Sequence, residues 1–151
     1  MTPAETEAYL HDGIALSRAM GVTVREADGT RVRLSAPLAP NLNPHGTAFA
    51  GSSSALAILA AWTLLQLREQ ARGAQSQLVI QRSSVEYERP IDGDFEAVCE
   101  LSDGASYERF CLTLERRGRA RIKLVVVLEQ RGQRVGRFEG EFVALRQTTC
   151  G

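Results

Sequence analysis

Hydrophobic and polar positions divide this chain into one long stretch without charge and a series of short, alternating runs. The long stretch, Thr47 to Leu67, is interrupted only by Ser52, Ser53, Ser54, Thr63 and Gln66, follows the turn-prone loop Pro40-Asn41-Leu42-Asn43-Pro44-His45-Gly46, and ends at Arg68. A helix that is apolar on every side has no solvent face, so other elements must wrap it, most economically a curved sheet. Its roughly twenty residues would also reach across a bilayer. The serines, the polar loop before it and the amphipathic runs around it predict instead the core helix of a soluble protein.

The shorter runs supply the wrapping. Thr2-Pro3-Ala4-Glu5 reads as a helix start with Thr2 as N-cap and Glu5 closing a capping box. Tyr9, Gly13, Leu16 and Met20 place one apolar side on that helix, and Gly21 ends it. Val22 to Ala27 and Thr30 to Leu38 flank Asp28-Gly29, a hairpin signal. In the second of these strands Val32, Leu34, Ala36 and Leu38 alternate with polar residues. Arg72-Gly73 closes the central helix. Five further strands are predicted, Leu78 to Glu88, Phe95 to Leu101, Tyr107 to Glu115, Ala120 to Glu129 and Arg137 to Leu145, turning around Asp92-Gly93, Asp103-Gly104, Gly118 and Gly132. Most of these connections read as hairpins, so the sheet should be largely antiparallel. Ala120, Ile122, Leu124, Val126 and Leu128 form an inward stripe, and Val125 and Val127 on the opposite face suggest cover on both sides at a subunit contact. The expected class is α+β, with an N-terminal helix and a curved, largely antiparallel sheet around one long apolar helix.

Composition narrows the alternatives. The chain of 151 residues shows no linker or repeat and is expected to form a single domain over 1–151. Its 18 basic and 18 acidic residues cancel, which argues against a nucleic-acid or membrane-surface partner. Cys99, Cys111 and Cys150 are odd in number and match no metal spacing, as suits reduced thiols; Cys99 and Cys111 are expected on strands. The acidic N-terminus carries no export pattern, so a cytoplasmic location is expected.

Chemistry concentrates where the polar loop meets the helix. A helix N-terminus presents free N–H groups and the positive end of its dipole, which suits a carbonyl oxygen acquiring charge. The backbone N–H groups of Ala50 and Gly51 could form such a hole, with the Asn43 amide as a second donor. Asn43 could equally make an Asx-turn before Pro44, and Asn41 could brace loop backbone. His45 is a titratable candidate in a turn. Ser52, Ser53 and Ser54 lack the G-x-S-x-G elbow of a nucleophile and read better as small packing residues.

The loop also carries a family resemblance. Asn43-Pro44-His45-Gly46-Thr47-Ala48-Phe49-Ala50-Gly51 looks like the N-G-x-G-x-x-H-G-G loop of hotdog-fold acyl-CoA thioesterases. Pro37-Leu38-Ala39-Pro40-Asn41-Leu42-Asn43, Gly46-Thr47, Phe49 and Gly51-Ser52 resemble more closely a hotdog family labelled "putative thioesterase", stand-alone or fused behind an acetyltransferase domain, whose members include malonyl carrier-protein decarboxylases. The similarity extends from the first helix through Ile80-Gln81 and Tyr87 to Asp94, then fades in the last strands. Phe49 stands where the first group has histidine, and Ala50 where the closer family has glycine.

The resemblance implies a hotdog fold and an acyl thioester carried on phosphopantetheine, as coenzyme A or acyl carrier protein, with no metal or redox cofactor. It implies Asn43, Ala50 and Gly51 as the catalytic set. Asn41, His45, Gly46, Thr47, Phe49, Ser52 and Arg82 would contact substrate, and Arg116, Arg117 and Arg119, taken as a hairpin tip, would contact phosphopantetheine or carrier protein. A homodimer or dimer of dimers with sites between subunits is expected. Hydrolysis needs a base or a carboxylate nucleophile, and the related thioesterases carry an acid about two turns into the helix. Ala55 to Leu59 are all apolar here, and the first acid after Gly51 is Glu69. That favours decarboxylation over hydrolysis, with an acyl-binding module as a third reading; a partner's Glu86, Glu88, Asp92 or Asp94 could supply an acid.

Overall fold

The computed structural model describes residues 1–147, so Cys150 lies outside the described residues. Its centre is the predicted long helix, which spans Ala50–Ala71; a single turn of 3-10 helix, Ala39–Asn41, precedes the loop that leads into it. Leu56, Ala57, Ala60, Ala61, Leu64 and Leu65 are fully enclosed. The helix is long and apolar enough to cross a membrane by length and composition, yet here it is the buried core helix, as expected of a soluble protein. Arg72 and Gly73 close it, Gly73 at φ +67°.

Among the described residues six strands form one sheet, all paired antiparallel: β1 Thr23–Ala27, β2 Arg31–Ala36, β3 Ser76–Tyr87, β4 Phe95–Glu100, β5 Arg119–Gln130 and β6 Gln133–Arg146, in the order β1-β2-β4-β5-β6-β3. Only β1–β2 and β5–β6 are joined by tight turns, so the expected run of hairpins is replaced by crossovers. The predicted stripe from Ala120 to Leu128 faces inward, every second residue buried. It meets Phe138, Phe142 and Ala144 of β6 in register. β3 is the outer edge of the sheet and pairs only with β6.

Two expectations fail locally. The first helix keeps its capping box, with Glu5 N–H donating to Thr2 Oγ1 at 3.2 Å and Thr2 N–H to Glu5 Oε2 at 2.7 Å. It breaks at Ile14, however, giving α1 Pro3–Gly13 and α2 Ala15–Ala19. Met20 is buried as expected, but Tyr9 and Leu16 are exposed, and Thr6, Leu10 and Ser17 face the core in their place. Glycine at position 13 has no side chain to pack, and the break lets the short second helix turn its own face inward.

The second correction is larger: Tyr107 to Glu115 is not a strand. Gly104–Arg117 is a helix, α4 (the central helix being α3), with Tyr107, Phe110 and Leu114 buried at helical spacing. Asp103 caps it, accepting from Ala105 and Ser106 N–H at 3.1 and 3.3 Å. The Ser106 side chain most of all, and then these N–H bonds, hold the Asp103 carboxyl below its usual range. Gly118 ends it at φ +72°, its N–H donating to Leu114 O at 2.8 Å. Cys111 therefore sits on a helix, while Cys99 is on a strand as expected; both are free thiols. Arg116, Arg117 and Arg119 surround a helix C-terminus, not a hairpin tip, where cations offset the dipole.

Candidate active site

The loop before α3 is built around Asn43. Its Oδ1 accepts from His45 N–H at 2.8 Å and Thr47 N–H at 3.2 Å, an Asx-turn; its Nδ2 donates to Thr47 Oγ1 at 2.7 Å and, more loosely, to Ala48 O at 3.4 Å. Gly46 makes the reversal at φ +80°, where a side chain would be strained. Asn41 is buried; its Nδ2 donates to Met20 O at 3.0 Å and Pro37 O at 2.7 Å, and its carbonyl accepts Phe49 N–H at 2.7 Å. Asn41 thus pins the loop, with its side-chain amide spent on backbone carbonyls. Thr47 is half-buried in the same turn, and His45 is exposed.

Phe49 caps α3 without a side-chain hydrogen bond. Its carbonyl accepts from Ser52 N–H at 2.9 Å. Among the described residues no acceptor meets the N–H groups of Ala50 and Gly51, which are the two free donors at the helix start. The 58% exposed Phe49 ring folds back over Gly51, so close that a Cβ there would lie 2.4 Å from Phe49 Cε1. Ser53 is buried and donates to Ala50 O at 3.0 Å. Ser52 is half-buried at the same turn.

A cleft of about 260 Å³ opens beside this helix start, lined by Ala48, Ala50, Ser53 and the segment Tyr87 to Ile91. That segment leads out of β3, and the antiparallel register brings its end to the start of α3. Tyr87 OH donates to Ala50 O at 3.3 Å, and Ala48 N–H to Ile91 O at 2.8 Å. Among the described residues Glu88 is the only carboxylate on the wall, and it is bound to Arg134 at 2.7 Å. This hydrogen bond pushes the Arg134 guanidinium above its usual range. Tyr87 had no assigned role in the sequence reading; its signal was the Arg89-Pro90 break, which ends the strand opposite the helix start.

Other candidates lie elsewhere in the protomer. Arg82 lines a groove on the outer face of the sheet with Lys123, Glu139 and Glu141, because it pairs in register with Glu141. Arg117 and Arg119, with Arg121, border a basic groove beside the C-terminus of α4. Arg119 is in register with Leu145 and Ser76 with Arg146, so that groove is at the end of the sheet where α3 finishes. Glu69 is buried there, ~27 Å along the helix from Gly51, accepting from Arg72 Nη1 at 2.8 Å, Ser76 Oγ at 2.8 Å and Tyr107 OH at 3.4 Å.

Comparison with known proteins places this geometry. The model of the family described as "Putative thioesterase (yiiD_Cterm)" matches residues 4–146, so the likeness runs through the last strand and does not fade after Asp94. A Chlorobaculum tepidum protein of unknown function superposes with a TM-score of 0.88 at 28% identity, covering 97% of this chain and 98% of its own. A thioesterase, so named provisionally, from Shewanella oneidensis gives 0.82 at 26% identity over 95% and 96%. The fold is shared with a Haemophilus influenzae thioesterase at a TM-score of 0.77 and 11% identity, over 100% of this chain and 96% of that one. The chain is a hotdog-fold member of the family "Putative thioesterase (yiiD_Cterm)".

Proposed function

We propose that this protein decarboxylates a malonyl thioester of acyl carrier protein or coenzyme A in the cytoplasm, giving the acetyl thioester. The bond between the carboxylate carbon and the α-carbon breaks, carbon dioxide leaves, and the electron pair passes to the thioester oxygen as an enolate, which then takes a proton from solvent water at the α-carbon. Ala50 and Gly51 N–H would hold that oxygen. The Asn43 Nδ2 proton now on the loose 3.4 Å bond to Ala48 O can exchange to become a third donor. One such donor contributes roughly 2.7–4 kcal/mol in the transition state.

The composition of the cleft carries this reading: Ala50, whose N–H is free and is followed along the helix by the free N–H of Gly51, lines it together with a lone carboxylate, Glu88, that is already bound to Arg134. Decarboxylation needs no base to begin, and a water-poor site favours loss of a carboxylate. Hydrolysis is the second reading, supported by the thioesterase names of the neighbours and by Glu88 on the wall as a base should it leave Arg134. We place the working unit as a homodimer formed along β3, whose twelve-residue outer edge has no partner strand among the described residues.

Purified protein with malonyl and acetyl thioesters, followed for carbon dioxide and free thiol together, separates the readings. Carbon dioxide without thiol is expected. Thiol release would move the assignment to a hydrolase, and binding with neither product to a non-catalytic module.

A further inference from the structure

Arg89 stands out in the cleft because its charge is not answered. Glu88, beside it, is neutralised by Arg134, and no carboxylate lies within 4.0 Å of the Arg89 guanidinium among the described residues. Its backbone is firmly placed. Glu88 and Arg89 N–H both donate to Val135 O, at 2.9 and 3.1 Å, and Pro90 restricts the residue that precedes it. The connection that follows is held as Gln130 Oε1 accepts from Asp92 and Gly93 N–H at 2.7 and 2.9 Å. A flexible cation thus rises from a fixed base onto the same wall as Ala50.

We propose that Arg89 recognises the free carboxylate of the acyl group and so selects acyl thioesters that carry one. This rests on the thioester reading of the cleft. A guanidinium offers a planar fork that fits a carboxylate with two parallel hydrogen bonds. Phosphate has the same attraction for it, but a phosphate on the substrate lies at the far end of the pantetheine arm, whereas the acyl carboxylate lies within a few bonds of the thioester carbon. Arg82, the arginine within β3, faces the outer groove with Glu139 and Glu141 and is not a competitor for the role.

The attraction is strongest before reaction and fades as carbon dioxide, which is neutral, leaves. Arg89→Gln should therefore raise KM for malonyl-pantetheine, which has no phosphate, about tenfold, with kcat unchanged or higher. Arg89→Lys, which keeps the charge without the fork, should fall between. Binding provides an arm that needs no turnover: the wild type should hold succinyl-pantetheine more tightly than butyryl-pantetheine, and Arg89→Gln should level them. Equal binding of the pair by the wild type, or no levelling in the variant, overturns the proposal. So does a loss in Arg89→Gln confined to coenzyme A esters whatever their acyl group, which would assign Arg89 to phosphate. If carbon dioxide release fails while the succinyl preference persists, the reaction is misassigned and Arg89 stands.

Discussion

The side chain of Asn43 makes four hydrogen bonds within five residues of itself, and three of them are shorter than the fourth. It therefore shapes the loop first and can offer a donor second. Asn43→Ala should lower kcat by about 100-fold, with the circular dichroism of the folded chain retained; full turnover in that variant would remove Asn43 from the site. Gly51 has no room for a Cβ, because the space is taken by the Phe49 ring. Gly51→Ala should push the ring outward and cost about tenfold in kcat/KM, since small misplacements at a reacting centre are expensive. Coupling measured against Phe49→Ala in a double-mutant cycle tests whether the two act as a unit. Asn41 carries the same family pattern as Asn43 and is the buried brace of loop backbone that its residue type led one to expect; spacing alone cannot distinguish an amide aimed at backbone from one aimed at a cleft.

Between elements, the seam of α3 and α4 depends on one buried acid. Glu69 links Arg72, Ser76 and Tyr107, and the Arg68 guanidinium lies 4.3 Å from the centre of the Tyr107 ring. Glu69→Ala should destabilise the fold by about 3 kcal/mol by urea unfolding, at the low end for breaking a buried pair because Arg72 keeps Glu115 at 3.0 Å. A change below ~0.5 kcal/mol would make the cluster incidental. The two helices differ in how readable they were. α3 declared itself by twenty residues without charge, which only a wrapped helix tolerates. α4 is short and charged on its outer side, and its Asp103-Gly104 start also reads as a turn; the spacing of Tyr107, Phe110 and Leu114 was the signal that distinguished it.

Across the whole molecule, burial sets an alkaline limit. Desolvation pushes the Cys99 thiol up to about 12 from 9.0 and the Tyr107 hydroxyl up to about 12 from 10.0. Below about pH 9 the folded and unfolded chains both hold these protons, so this stability is complete. As pH rises toward 12 the unfolded chain releases protons that the fold retains, and stability falls. The melting temperature should drop through that window, less steeply in Cys99→Ala; an equal slope in both would dismiss Cys99 as a cause. Assembly is tested at the edge strand: Val79→Lys, at a 39% exposed position on β3, should convert the proposed dimer to a monomer by light scattering. The strand order has a consequence for how the chain is made. β2 waits for β4 and β3 waits for β6, whose pairing joins Ser76 to Arg146 and Tyr87 to Gly136. Long loops must close before those contacts reward them, which slows folding. A nascent chain arrested before Gln133 would thus carry β3 bare on both edges and a half-wrapped α3; the completed β5–β6 hairpin covers one edge of β3 and finishes the wrapping of α3, leaving only the outer edge of β3 for the proposed dimer.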